Sequence, residues 1–261
     1  MCRADLQSDL RAIYQQRTWV YDSLSRHPDA IFLRGRRSVV AGPIGESRFV
    51  VKRMSHGGLL APLFRDFFFT SSRARAHIHH SEYLSAHGVR TAPVAFASWR
   101  RVLGLLQCEV GFTFIEGGLD ADAFFFGGSV APAGWEAQAA AIGALVARLH
   151  QIGFLHGDLN LMNFLIDGRG ELYILDLDKT VIRERNLSGA ERSRNLARLE
   201  RSIRKQGRNR SARFVNEIIV TLRATYDQSL LVTPSQRFAQ PHLPDQGARR
   251  MTVITAVRSS E

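Results

Sequence analysis

With 261 residues, the chain is long enough for one large domain or two lobes, and a hydrophobic fraction of 45% permits a sizeable core. No run of 18 uncharged apolar residues occurs, and the opening Met1-Cys2-Arg3-Ala4-Asp5 carries charge where a leader would be apolar, which argues against a membrane-spanning helix and a secretory signal. The only cysteines, Cys2 and Cys108, make no disulfide framework, so a reducing cytoplasm is the expected setting, while a net charge of +11 points to a polyanionic partner.

In chain order, apolar positions Leu6, Leu10, Ile13, Val20 and Leu24 predict a helix over residues 3–26, closed by His27-Pro28-Asp29. Residues 31–33, 38–41 and 48–53 read as strands, with Gly42-Pro43-Ile44-Gly45 as a turn. A helix is predicted over 73–87, stopped by Gly88, and a strand over 102–116, followed by Gly117-Gly118 as a hinge. The clearest helix is 135–151, with Ile142, Leu145, Val146 and Leu149 on one face. Two helices follow, over about 188–206 and 211–227, and the tail from about Ser229 lacks any sustained period and is expected to be loosely ordered. Strands plus one helix, then a hinge, then helices predict an α+β fold. Its expected division is an N-terminal lobe with a leading helix (1–116), a helical C-terminal catalytic lobe (117–228) and a tail (229–261).

The chemistry concentrates in His156-Gly157-Asp158-Leu159-Asn160-Leu161-Met162-Asn163 and in Ile174-Leu175-Asp176-Leu177-Asp178. Phosphoryl transfer from ATP needs a carboxylate near the acceptor hydroxyl and hard oxygen ligands for Mg²⁺. Asp158 with Asn163 five residues on fits the catalytic loop of kinases, base then metal ligand. Asp167-Gly168-Arg169-Gly170 between two apolar runs predicts a hairpin. Asn163 and Asp176 lie symmetrically about that turn and are expected side by side, sharing one cation. Asp178 joins them if the strand continues. Upstream, Lys52 ends an apolar strand, as a lysine for the ATP phosphates would, and Glu82 is the only acid available to it in the 73–87 helix. Gly35 and Arg36 offer a single-glycine phosphate loop. Finally, residues 183–213 hold eleven Arg or Lys against three Glu, a local +8 that suits an anion-facing surface better than a salt-bridged one. Arg194, Arg198, Arg201 and Lys205 form one stripe of that helix, expected to point outward.

On His-Gly-Asp-Leu-Asn…Asn, Leu-Asp-Leu-Asp-Lys, Val51-Lys52-Arg53 through Gly57-Gly58-Leu59, and the basic runs Asn195–Leu199 and Arg201–Lys205, the chain resembles the bacterial lipopolysaccharide kinases, most nearly the 3-deoxy-D-manno-octulosonic acid (Kdo) kinases. The resemblance implies a bilobal protein-kinase-like fold and transfer of the ATP γ-phosphate to a Kdo hydroxyl of a lipid A precursor. It also implies peripheral attachment to an anionic membrane, at the cytoplasmic face of the inner membrane. It assigns Asp158 as base, Asn163 and Asp176 as Mg²⁺ ligands and Lys52 as the phosphate-binding lysine. Alignment back from Gly88 sets the helix partner of Lys52 nearer His77 than Glu82. Other kinase-like phosphotransferases, acting on heptose, another small molecule or protein, are the alternative, and a non-catalytic nucleotide-binding scaffold is the more distant one. Gly157 in place of the Arg of His-Arg-Asp, and no Ala-Pro-Glu downstream, favour a small acceptor over a protein. Nucleic acid is not an expected partner.

Overall fold

The computed structural model describes residues 2–16, 18–33, 39–55, 67–68, 70–102 and 105–231. They divide into two units: the residues up to His79 with Ala92–Phe114, and His80–Thr91 with the residues from Ile115 onward.

The first unit opens with α1 (Gln7–Gln15) and α2 (Val20–Ser25), and continues through β1 (Ile31–Phe32), β2 (Val39–Ile44) and β3 (Ser47–Arg53). After α3 (Ser72–Ala86), which runs from this unit into the second, come β4 (Val94–Val102) and β5 (Leu105–Thr113). The five strands form one antiparallel sheet in the order β1-β2-β3-β5-β4. One core joins Leu6, Leu10, Val20 and Leu24 to Val40, Phe49, Val51 and Phe96, and another joins Ala74 and Ile78 of α3 to Met54, Phe68 and Val110.

Three expectations change here. The single helix over 3–26 is two helices, because the buried carboxylate of Glu109 on β5 accepts from the N–H groups of Val20 and Tyr21 and starts α2 afresh. The turn is not Gly42–Gly45: Gly42, Pro43 and Ile44 stay in β2, and the chain reverses at Gly45 (φ 60°) and Glu46, between the paired Ile44 and Ser47. Pro43 is tolerated there because β1 pairs only with Val40 and Ala41, so no ladder N–H is required on its open side. Strand β4 is an addition to the predicted elements.

In the second unit, β6 (Leu119–Asp120) and α4 (Ala121–Phe126) precede α5 (Trp135–Gln151) and β7 (Phe154–Leu155). β8 (Phe164–Ile166), β9 (Leu172–Ile174) and β10 (Val181–Ile182) are short, and α6 (Gly189–Gln206) and α7 (Ala212–Leu231) complete it. Helix α6 begins on a capping box: Ser188 Oγ accepts from the Glu191 N–H, and the Glu191 carboxylate accepts from the Ser188 N–H. The core packs Ile142, Val146 and Leu149 of α5 against Leu196, Leu199 and Ile203 of α6 and Ile218 and Leu222 of α7. At Gly143 a Cβ would stand 2.2 Å from the Leu222 carbonyl oxygen, so α5 and α7 approach as closely as they do only with glycine there. An antiparallel sheet in the N-terminal part and helices in the C-terminal part make the fold α+β, as predicted. The predicted tail begins inside α7, which reaches Leu231; its remainder lies outside the described residues.

Candidate active site

The loop from His156 to Asn163 leaves β7 and enters the hairpin β8–β9. The hairpin pairs Phe164 with Ile174, Leu165 with Tyr173 and Ile166 with Leu172. Its turn is held by Asp167, whose Oδ1 accepts from the N–H groups of Arg169 (2.8 Å) and Glu171 (2.9 Å). The register differs by one residue from the predicted symmetry. Asn163 lies opposite Leu175, whose N–H donates to the Asn163 carbonyl at 2.7 Å, and Asp176 comes immediately after. β9 ends at Ile174, and both Asp176 (φ 56°) and Lys179 (φ 58°) occupy the left-handed region, so strand alternation does not set the direction of Asp178. A left-handed Asp beside the loop is local strain of the kind that functional sites retain.

Asp158 is held by its backbone and left open at its side chain. Its N–H donates to His156 Nδ1 (3.2 Å), and its carbonyl accepts from Asn163 Nδ2 (2.8 Å) and Asn160 Nδ2 (3.1 Å). The carboxylate itself is 59% exposed. His156 is buried, and its Nε2 lies 2.9 Å from the Leu175 carbonyl. Since Nδ1 accepts and Nε2 must donate, the ring is neutral with its proton on Nε2; burial, the largest influence, also lowers its pKa. Gly157 has a steric reason as well: a Cβ there would lie 2.3 Å from the Lys179 carbonyl oxygen. The backbone after Asp176 thus packs where any side chain at 157 would stand.

Helix α6 grips this loop through one stripe. Asn195 Nδ2 donates to the His156 carbonyl (2.9 Å), an Arg198 guanidinium N–H donates to the Gly157 carbonyl, and Ser202 Oγ accepts from the Leu161 N–H (3.1 Å). Positions 195, 198 and 202 share a helical face. Behind Asn195 the polar chain continues. Its Oδ1 meets His150 Nε2 at 3.1 Å, and His150 Nδ1 meets the Tyr226 hydroxyl at 2.8 Å. Asn195 donates forward, so His150 Nε2 donates to it and Nδ1 accepts from Tyr226, which fixes a neutral imidazole. Burial above all pushes His150 down to about 4 and Tyr226 up to about 12. Three helices therefore fix the carbonyl two residues before Asp158. Sequence reasoning did not find His150, Asn195 or Tyr226; the available signal was a polar Asn195 among the apolar positions of α6.

Of the predicted residues, the second unit brings together Asp158, Asn163 and Asp176 along one loop and hairpin. Asp178 follows two residues on, half-buried. Hard oxygen donors of this kind suit Mg²⁺, and the Asp176 backbone, turned out of the strand beside the Asn163 pairing, is consistent with a ligand position. Lys52 lies on β3 opposite Val39 and Val110 and belongs to the first unit, whereas Glu82 is an exposed residue of α3 in the second. His77 of α3 is buried, edge-on to Phe112 at 5.6 Å. Gly35 and Arg36 lie outside the described residues.

The sequence pattern of the lipopolysaccharide kinase (Kdo/WaaP) family matches residues 32–226. The chain is 33% identical over 202 residues to a 3-deoxy-D-manno-octulosonic acid kinase of Stenotrophomonas maltophilia (strain R551-3), covering 75% of this chain and 77% of that one. A protein of the same name from Xylella fastidiosa (strain M12) is 28% identical over 205 residues, covering 77% and 79%. Among solved structures, a divergent kinase lacking the glycine-rich loop, which regulates membrane ultrastructure of the Toxoplasma parasitophorous vacuole, aligns at a TM-score of 0.47 and 14% identity, over 88% of this chain and 86% of that one. The chain belongs to the lipopolysaccharide kinase (Kdo/WaaP) family and is, with it, a phosphotransferase that uses a hydroxyl acceptor.

Proposed function

We propose that this protein transfers the γ-phosphoryl group of ATP to a hydroxyl of Kdo on a lipid A precursor, working at the cytoplasmic face of the inner membrane. The observation that carries the reading is the Asp158 loop, its backbone fixed from both sides while its carboxylate stays open to an incoming hydroxyl. The names of the relatives supply the acceptor. Asp158 takes the hydroxyl proton as the acceptor oxygen attacks phosphorus, and ADP leaves with the electron pair of the broken bond. Asn163 and Asp176, with Asp178, would hold Mg²⁺, which supplies positive charge to the phosphates. Lys52 is the proposed phosphate-binding lysine.

The basic face of α6 supports a lipid-phosphate acceptor. Arg194, Arg201, Arg204 and Lys205 are exposed on it, and each such residue near an anionic surface contributes on the order of 1 kcal/mol. Among the described residues no helix is long and apolar enough to cross a membrane, so attachment would be peripheral. The test is purified protein with labelled ATP, offered in parallel a Kdo-lipid A precursor, a generic protein substrate and an aminoglycoside. Label in the lipid alone is expected; label in the protein or the aminoglycoside instead would replace the acceptor.

A further inference from the structure

The outward stripe predicted for α6 contains one residue that behaves differently from the rest. Arg198 turns onto the loop, where its guanidinium donates to the Gly157 carbonyl and one nitrogen lies 3.7 Å from Asp158 Oδ1. That separation is too long for a hydrogen bond, so the carboxylate does not consume the guanidinium. The carbonyl contact fixes its position, and a planar group with five N–H donors keeps others for a ligand. Both side chains are accessible, Arg198 at 48% and Asp158 at 59%.

An acceptor oxygen must come within about 2.6–3.2 Å of Asp158 to give up its proton, and the phosphorus it attacks must lie about 3–3.5 Å beyond. A cation seated beside Oδ1 therefore borders the equatorial phosphoryl oxygens, where negative charge is spread as the bond to ADP breaks. Position 160, two residues past Asp158, carries no charge: Asn160 donates its amide back to the Asp158 carbonyl. We propose that Arg198 is a catalytic residue that binds the phosphoryl group in transit, a cation supplied to the loop from helix α6. The inference rests on Asp158 being the base. No proton passes through Arg198.

The test uses the full chain with ATP and a Kdo-lipid A precursor, and, with water as acceptor, slow ATP hydrolysis, so that the result does not depend on the acceptor's identity. Arg198→Ala should lower kcat by about 10²–10³-fold in either assay. It should leave KM for ATP within about twofold and the Tm nearly unchanged, because the side chain is half-exposed. Arg198→Lys should retain more activity than Arg198→Ala, and added guanidinium should restore part of the rate of Arg198→Ala. A kcat within threefold of the parent overturns the proposal, and so does a loss that neither lysine nor guanidinium relieves, since that identifies a purely structural contact. Asp158→Ala run alongside separates the two readings. If it is inert while Arg198→Ala is active, only the arginine assignment falls; if it is active, or if the parent is inert in both assays, the assignment of the site itself falls.

Discussion

Two carboxylates, one in each unit, are held in opposite ways. Glu109 of β5 is fully buried, and its side chain accepts from four donors: the Val20 N–H (3.2 Å), the Tyr21 N–H (3.0 Å), Ser98 Oγ (3.1 Å) and the Tyr14 hydroxyl (3.2 Å). Burial raises its pKa despite those donors. Asp158 is mostly exposed, and its donors and acceptors fix only its backbone. The contrast separates structure from chemistry. A carboxylate whose oxygens are all engaged holds two helices on a sheet, whereas one whose main chain is over-determined and whose oxygens face solvent is placed to exchange a proton with a substrate.

The largest expected effect follows from that difference. Asp158→Ala should reduce phosphoryl transfer by about 10³-fold or more with little change in Tm, since the ion pair that its side chain makes with Arg198 is long, at 3.7 Å, and solvent-exposed. Parallel rate and melting measurements check it; a variant that keeps its rate would make the two carboxylates alike.

Glu109→Leu should do the reverse. It leaves two helix N–H groups and two hydroxyls without their acceptor in a largely buried site, at a cost of about 3–4 kcal/mol measured by denaturant unfolding. Hydrogen exchange should show α2 opening first. A loss under 1 kcal/mol would mean that Leu6, Leu10 and Leu24 hold the N-terminal helices without the carboxylate.

Asn195→Leu lies between the two. It leaves the His156 carbonyl and His150 Nε2 without their partner, costing about 2–3 kcal/mol, and it releases the backbone that positions Asp158. Stability and kcat should fall together, whereas KM for ATP should hold. A stability loss with unchanged kcat would show that the carbonyl of His156 needs no support from α6 during turnover.

How legible all this was in the sequence depends on range. The hairpin β8–β9 and the helices α5 and α6 are set by neighbours within a few residues, and periodicity and turn chemistry found them. The loop was legible because its spacing is itself the chemistry. The break before α2 was not, because its cap is Glu109, 89 residues away. Strand β4 was hidden by three successive buried residues, Ala95, Phe96 and Ala97, followed by half-exposed ones, which breaks two-residue alternation. Arg198 read as one member of an outward, anion-facing stripe, since nothing local distinguishes the one that faces Gly157 from Arg194 or Arg201.

The smallest expected effect concerns pH and sharpens the picture of how the loop is supported. His150 and His156 are both neutral in the folded protein, and burial is the main cause in each. In the unfolded chain each would take up a proton near its ordinary value of 6.5. Below that pH the unfolded state therefore binds protons that the folded state refuses, and stability falls as pH falls. For His150 the loss should run from pH 6.5 down to its folded value of about 4. One pH unit corresponds to about 1.4 kcal/mol per histidine at the steepest part of that window, less where titration is only beginning. Denaturant unfolding between pH 7.5 and 5.5 should thus show a loss on the order of 1–3 kcal/mol for the pair, with little change between 7.5 and 7. The Tyr226–His150–Asn195 chain makes a further demand: Tyr226→Phe removes the donor to Nδ1 and should lower stability at pH 7.5 while weakening the pH slope, because an unpartnered Nδ1 accepts a proton more readily. An unchanged slope in Tyr226→Phe would mean that burial alone, without the tyrosine hydroxyl, keeps His150 neutral.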